Sequence, residues 1–136
     1  MRFLEREDPE KITDPKLALA HVTIELGSAC EYHDLQGYDE AIQETAFAAL
    51  DLARYQQIRE QADTPEAEVA LQYCGKRLSD ANAAYRTSNY HEARKALALA
   101  SEHLDRYLQA LGPPVAYLRE DLLPLIADPG GEQAQH

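Results

Sequence analysis

The chain repeats itself at a spacing of 52 residues, and this repetition constrains its fold more than any other feature of the sequence. When the sequence is aligned with itself at that offset, 13 of the 42 positions from Lys16 to Gln57 are identical, without a gap. A chain of average composition would match itself at roughly a tenth of positions by chance. The identical pairs are Ala18/Ala70, Leu19/Leu71, Leu26/Leu78, Ala29/Ala81, Tyr38/Tyr90, Glu40/Glu92, Ala41/Ala93, Ala46/Ala98, Ala48/Ala100, Leu52/Leu104, Arg54/Arg106, Tyr55/Tyr107 and Gln57/Gln109. The sequence therefore predicts two copies of one structural unit.

Each copy contains two rows of mostly apolar side chains that step by three or four residues. Such rows each occupy one face of a helix. Ala and Leu, which are strong helix formers, dominate the apolar residues, whereas the β-branched and aromatic residues typical of strands are sparse. The predicted fold class is therefore all-α. The rows are Leu19, Val22, Leu26, Ala29, His33 and Tyr38, Ala41, Thr45, Ala48, Leu52, Tyr55 in the first copy, and Leu71, Cys74, Leu78, Ala81, Tyr85 and Tyr90, Ala93, Leu97, Ala100, Leu104, Tyr107 in the second.

Residues that favour helix starts and turns divide the chain into two hairpins. A capping side chain followed by proline, at Asp14-Pro15 and again at Thr64-Pro65, predicts a helix start. Turns are expected at 36–37 and 87–89, so helix two runs from 38 to about 61. We predict one domain at 1–128, with hairpin one at 14–62, hairpin two at 64–111 and a short C-terminal helix at 115–127. Residues 1–13 are expected to form an extended arm, and 129–136 a flexible tail. Short turns make each hairpin antiparallel, and the hairpins pack as a four-helix bundle or as a right-angle pair.

Each hairpin carries a motif at its turn and second helix. Gly37 to Ile42 is followed by Ala48, and Asn89 to Ala93 is followed by Leu97 and Ala100. These motifs resemble the turn and second helix of a tetratricopeptide repeat. The resemblance implies a protein-binding role without catalysis. The period of 52 instead of about 34 favours a closed pair of hairpins over a solenoid.

The charge of the chain limits the classes of partner that we expect. The net charge of −11 disfavours a nucleic-acid partner, because such binding normally uses a basic face. Residues 16–62 contain eight acids and three bases, whereas residues 65–112 contain six of each. This excess of acids is typical of a well-solvated surface, and the alternative interpretation is that hairpin one offers an acidic face to a basic protein partner. A homodimer is also predicted, because it would bury the apolar side chains of the C-terminal helix that solvent would otherwise contact. These are Leu118, Leu122, Leu125 and Ile126. No signal peptide or membrane span is visible, and two cysteines without an export signal predict a cytoplasmic protein with reduced thiols.

One pair of residues has a spacing that suggests catalysis. Arg86 and His91 are separated by four residues. This arrangement is similar to the Arg-x(4–6)-His motif of the HEPN superfamily, whose small helical bundles include many RNA-cleaving enzymes. The resemblance implies that His91 handles proton transfer and that Arg86 steadies the phosphate. The competing interpretation is a solvated turn in which these residues have no chemical role.

The candidate metal ligands of the chain are cysteine, histidine and carboxylate residues. Cys30 and His33 are three residues apart and could share a helix face as ligands, but a zinc site needs further ligands that converge on them. His21 and Glu25 are four apart, which is a common arrangement on solvated helices. Cys74 replaces Val22 of the first copy, so its expected role is packing. No cofactor is expected.

The favoured function is a non-catalytic helical protein-interaction module, acting as an adaptor or as a self-associating scaffold. The alternatives are an HEPN-like RNA-cleaving or nucleotide-related bundle that uses Arg86 and His91, and a metal- or small-ligand-binding helical bundle.

Overall fold

The computed structural model describes residues 8–59 and 64–111, which form a short 3-10 turn and four long α-helices. The turn is Pro9–Lys11, and the helices are α1 (Pro15–Asp34), α2 (Tyr38–Ile58), α3 (Pro65–Arg86) and α4 (Tyr90–Leu111). No strand occurs among these residues, so the all-α prediction is confirmed. Helix α2 ends at Ile58, three residues before the predicted end. The predicted C-terminal helix and tail lie outside the described residues.

The predicted start signals cap their helices. An Asp14 carboxylate oxygen accepts a hydrogen bond of 3.0 Å from the Lys16 amide at the start of α1. The Thr64 hydroxyl accepts one of 3.2 Å from the Ala67 amide at the start of α3. Each cap satisfies an amide that has no partner within its helix, and proline follows at the first helical position of both helices.

The turns of the two hairpins have the same geometry. Gln36 and Ser88, which are 52 residues apart, have φ angles of 66° and 58°. In each turn the next amide donates to the carbonyl five residues before it, at 2.7 Å in hairpin one and 2.8 Å in hairpin two. A left-handed residue with this bond ends a helix and reverses the chain. Gln36, and not the neighbouring Gly37, therefore takes the left-handed conformation.

The predicted apolar rows form the core. Every residue of the four rows is buried except Tyr38 and Tyr90, which are half-buried at equivalent positions. Leu26 and Leu78 are 1% and 0% exposed. Burial raises the pKa of the Cys74 thiol to about 12, in agreement with a packing role for this residue.

The hairpins close on each other to form a bundle. Helix α1 packs against α4 as well as against α2, and α2 packs against α3. A shift of 52 residues exchanges these two inter-hairpin contacts, so the hairpins are related by an approximate two-fold rotation. Because a residue meets its own counterpart only near such an axis, the axis is marked by the contacting pairs His33/Tyr85, Tyr38/Tyr90 and Tyr55/Tyr107.

The axial pairs make specific contacts. The rings of Tyr38 and Tyr90 stack with centroids 4.1 Å apart and an angle of 3° between their planes. The hydroxyl groups of Tyr55 and Tyr107 share a hydrogen bond. These contacts fix how the two hairpins sit on each other, because stacking and hydrogen bonding depend on orientation.

None of the helices in residues 8–59 and 64–111 has both the length and the apolar character needed to cross a membrane.

Candidate functional site

Hairpin two carries a groove between the first half of α3 and the second half of α4. Its volume is about 480 Å³. Val69 and Tyr73, on its α3 side, are 51% and 46% exposed, which is unusual for large apolar side chains in the described chain. We call this site the hairpin-two groove. It is lined by Glu66, Val69, Ala70, Tyr73, His103, Arg106, Gln109 and Ala110.

The equivalent surface of hairpin one is buried at its centre. We call it the hairpin-one face. Ala18 and His21 on this face are 0% and 5% exposed, and Asp51 is 2% exposed. Shifting the lining of the groove back by 52 residues gives its members, Asp14, Leu17, Ala18, His21, Asp51, Arg54, Gln57 and Ile58. The two copies thus have the same helices at this place, but His21 and Asp51 are buried, whereas their counterparts Tyr73 and His103 are exposed and partly exposed.

Part of the cover is the N-terminal segment 8–12. Ile12 is 2% exposed and belongs to the core. The Arg54 guanidinium donates a hydrogen bond of 2.9 Å to the Ile12 carbonyl and one of 3.1 Å to the Glu10 carbonyl. In place of the extended arm that was predicted at 1–13, this part of it forms a 3-10 turn and docks on α2. A single apolar residue has no periodicity, so the sequence pattern could not show this docking.

Three buried side chains of hairpin one, two of them on the hairpin-one face, are of types that can bind a metal ion. His21 and Glu25 lie one turn apart on α1, and Asp51 lies opposite them on α2. Each contributes one nitrogen or oxygen atom to a group in which all three atoms lie within 4.8 Å of one another. His21 Nδ1 is 3.8 Å from Glu25 Oε2. Glu25 is 0% exposed, so two carboxylate groups and one imidazole ring lie next to one another in the protein interior.

The expectation of a solvated His21 and Glu25 pair is wrong. Helix α1 buries its predicted row and, beside that row, Ala20 and Thr23 as well. Because this part of α1 is enclosed on more than one side, it has no face that is fully open to solvent. The periodicity of apolar residues marks one buried face only, so it cannot reveal a helix that is enclosed more widely.

Hairpin two has different chemistry at the three equivalent positions. Tyr73, Arg77 and His103 replace His21, Glu25 and Asp51. The rings of Tyr73 and His103 stack with centroids 5.4 Å apart. Burial lowers the pKa of His103, the charges of two neighbouring arginines lower it further, and Glu102 opposes them.

Arg86 and His91 lie on both sides of the second turn. Arg86 is the last residue of α3, and His91 is the second residue of α4. Both are exposed. Within the described ranges, no hydrogen bond or ion pair joins either side chain to another group. Their catalytic role remains a prediction.

His33 contacts the opposite hairpin. Its Nδ1 shares a hydrogen bond of 2.7 Å with the Tyr85 hydroxyl group. Burial lowers the pKa of His33, the Arg94 charge lowers it further, and Asp34 opposes them. Burial likewise raises the pKa of Tyr85 to about 12. Among the described residues, Cys30 and His33 belong to no group of three ligating side chains, so their metal role stays a prediction.

The repeat gives only a weak sequence signal for the cluster of His21, Glu25 and Asp51. The two copies are identical at eight of the eleven paired positions in the rows and differ at 21/73, 25/77 and 51/103. All three residues of the first copy are metal-ligand types, and two of them are one helical turn apart. Asp51 gave no signal of its own, because only the fold brings α2 beside His21.

Comparison with known proteins gives no relative for this arrangement, since no family model, curated protein or solved structure matches the chain.

Proposed function

We propose that this protein is a non-catalytic adaptor whose hairpin-two groove binds an extended segment of a protein partner. The observation that carries the proposal is the difference between Arg54 and its counterpart Arg106. Arg54 holds the chain's own N-terminal segment on α2, whereas Arg106 lines an open groove beside Val69 and Tyr73. A cytoplasmic location, where both cysteines stay reduced, belongs to the same proposal.

The N-terminal segment 8–12, which Arg54 binds, indicates what kind of partner segment Arg106 would bind. It presents one branched apolar side chain, Ile12, and two backbone carbonyls that accept hydrogen bonds from the guanidinium group. Arg106 is 61% exposed and pairs with Glu102 only at 3.5 Å. An exposed pair of this kind contributes little free energy, so a partner's carbonyl groups can replace it. An extended chain has such carbonyl groups, whereas a helix uses its own internally.

Shape and charge describe the partner further. The groove is an open surface with an apolar floor, which suits a chain laid along it. Glu66 on one side and Arg106 on the other favour a partner that carries both signs of charge. The excess of acids in residues 16–62 attracts a partner with additional bases next to the bound segment.

The proposal is tested with a synthetic peptide that has the sequence of residues 8–13. Burying one isoleucine contributes about 1.5–3 kcal/mol, and hydrogen bonds to a charged group about 1.5–3 kcal/mol, so we expect a Kd on the order of 1 mM. Amide chemical shifts of the ¹⁵N-labelled protein are recorded during the titration. Shifts are expected around Val69, Tyr73 and Arg106, and not at the turn that contains Arg86.

Matched variants make the test specific. Arg106→Ala should weaken peptide binding about tenfold or more, whereas Arg86→Ala, an exposed arginine at the other end of the hairpin, should leave it unchanged. Equal effects of both variants, or no shifts in hairpin two, would overturn the proposal. A dimer in light scattering that Val69→Glu dissociates would also overturn it, because the occupant of the groove would then be a second copy of this chain.

A further inference from the structure

The buried cluster of His21, Glu25 and Asp51 in hairpin one has an unsatisfied acceptor. Asp51 is 2% exposed, and its Oδ1 atom has no hydrogen-bond partner among the described residues. The cluster also contains the Glu25 carboxylate at 0% exposure and the His21 imidazole at 5%. Burying a carboxylate is costly unless a cation or several donors compensate its charge. A second carboxylate within 4.8 Å raises that cost, because like charges repel.

The fold does not require this chemistry. Hairpin two has the same helices with Tyr73, Arg77 and His103 at the equivalent positions, and its axial rows are packed as closely as those of hairpin one. The three residues of hairpin one are therefore not needed for packing the bundle. What they share is the ability to bind a metal ion.

We propose that His21, Glu25 and Asp51 bind a divalent first-row transition metal ion, with Zn²⁺ as the best match. One imidazole nitrogen and two carboxylate oxygens are ligands that zinc accepts at about 2.0–2.2 Å. At that length, two ligands at a tetrahedral angle stand about 3.4 Å apart, close to the 3.8 Å between His21 Nδ1 and Glu25 Oε2. Calcium and magnesium prefer oxygen ligands alone, so the histidine selects against them.

Three protein ligands leave one position of a tetrahedral ion for water or another donor. The ion joins α1 to α2 at the end of hairpin one that lies away from its turn. It neutralises both carboxylates where they are buried, and so it stabilises the folded chain. This site is separate from the hairpin-two groove, and the inference does not depend on the proposed function.

The first test is zinc binding by the full chain, produced without a polyhistidine tag and freed of metal with a chelator. Calorimetric titration with Zn²⁺ should give one site per chain. At a free concentration of Zn²⁺ about 100 times the Kd, the melting temperature should rise by about 9 °C, whereas Mg²⁺ and Ca²⁺ should leave it unchanged. Binding of less than about a tenth of an equivalent of Zn²⁺ would overturn the inference.

Variants locate the ion. Asp51→Asn keeps the shape of the side chain but removes its charge, and it should weaken Zn²⁺ binding about 100-fold or more, since even outer groups around a metal contribute 10–100-fold. His21→Asn should do the same. His91→Asn, which removes an exposed histidine, is the control and should leave Zn²⁺ binding unchanged. Unchanged binding in Asp51→Asn, or loss of binding in Cys30→Ala, would overturn the assignment.

X-ray absorption at the zinc edge on the wild-type protein does not depend on variants that fold. The expected spectrum has one imidazole and a first shell of nitrogen and oxygen near 2.0–2.1 Å. A sulfur ligand at about 2.3 Å would place the ion at a cysteine and overturn the inference.

Discussion

Arg54 and Arg106 occupy the same position in the two copies, and we expect their replacement by alanine to have very different effects. Arg54→Ala removes a partly buried bond to the Ile12 carbonyl and an exposed bond to the Glu10 carbonyl. A partly buried bond from a charged donor contributes about 1.5–3 kcal/mol, and the exposed bond adds less. The expected loss in the free energy of unfolding is therefore about 2–3 kcal/mol. Arg106 has only an exposed ion pair, so Arg106→Ala should change it by less than about 0.5 kcal/mol.

Thermal and urea unfolding measure this difference. For 136 residues, an unfolding entropy of about 2.1 cal/mol/K per residue gives about 0.29 kcal/mol/K. A loss of 2–3 kcal/mol then lowers the melting temperature by about 7–10 °C, whereas Arg106→Ala should lower it by less than about 2 °C.

A double-mutant cycle with Ile12→Ala tests the reason for the effect. If Arg54 acts by holding the N-terminal segment, its replacement also releases Ile12, and the two single losses overlap. The double variant should then be about 1 kcal/mol more stable than the sum of the single losses predicts. Equal losses for Arg54→Ala and Arg106→Ala would refute the reasoning, as would strict additivity with Ile12→Ala.

Four further predictions concern the frame of the bundle. Leu26→Ala and Leu78→Ala should each cost about 2–5 kcal/mol in urea unfolding, and the two values should agree within about 1 kcal/mol because both side chains are almost fully buried at equivalent row positions. Ser88→Gly should stabilise the protein by up to about 1 kcal/mol, because glycine adopts the left-handed φ of 58° without strain. Because the folded pKa of His33 is lowered, the unfolded chain binds more protons below its ordinary pKa of about 6.5; stability should therefore fall as the pH drops below that value, and less so in His33→Phe. Cys74 should react with a thiol reagent only after unfolding, since it is 0% exposed and its thiol has a pKa of about 12.

The fold could be predicted from the sequence because the repeat and the helical period agree. The four rows were found by counting steps of three and four, and the start signals at Asp14 and Thr64 are local capping chemistry. Even the equivalence of the turns follows from the 52-residue shift, since the left-handed residues Gln36 and Ser88 are equivalent positions. These features depend on residues that are close in sequence or repeated at a fixed distance.

The candidate sites could not be predicted in the same way. Asp51 meets His21 only because α2 folds back along α1, and the Ile12 carbonyl accepts its hydrogen bond from Arg54, 42 residues further along the chain. His21 has polar chemistry at a position that apolar periodicity leaves outside the core. Burial there comes from enclosure by several elements, which no single-helix pattern records.

The two-fold axis has a consequence for the origin of the molecule. A chain with only one hairpin could place a tyrosine against its own counterpart only in a symmetric dimer, where every feature appears twice. Joining the halves in one polypeptide makes their association independent of protein concentration and releases the positions away from the axis from that duplication. One half can then keep Asp51 in a closed interior while the other has His103 beside an open surface. Covalent fusion thus lets two copies of one scaffold specialise, while the tyrosine contacts between them remain shared.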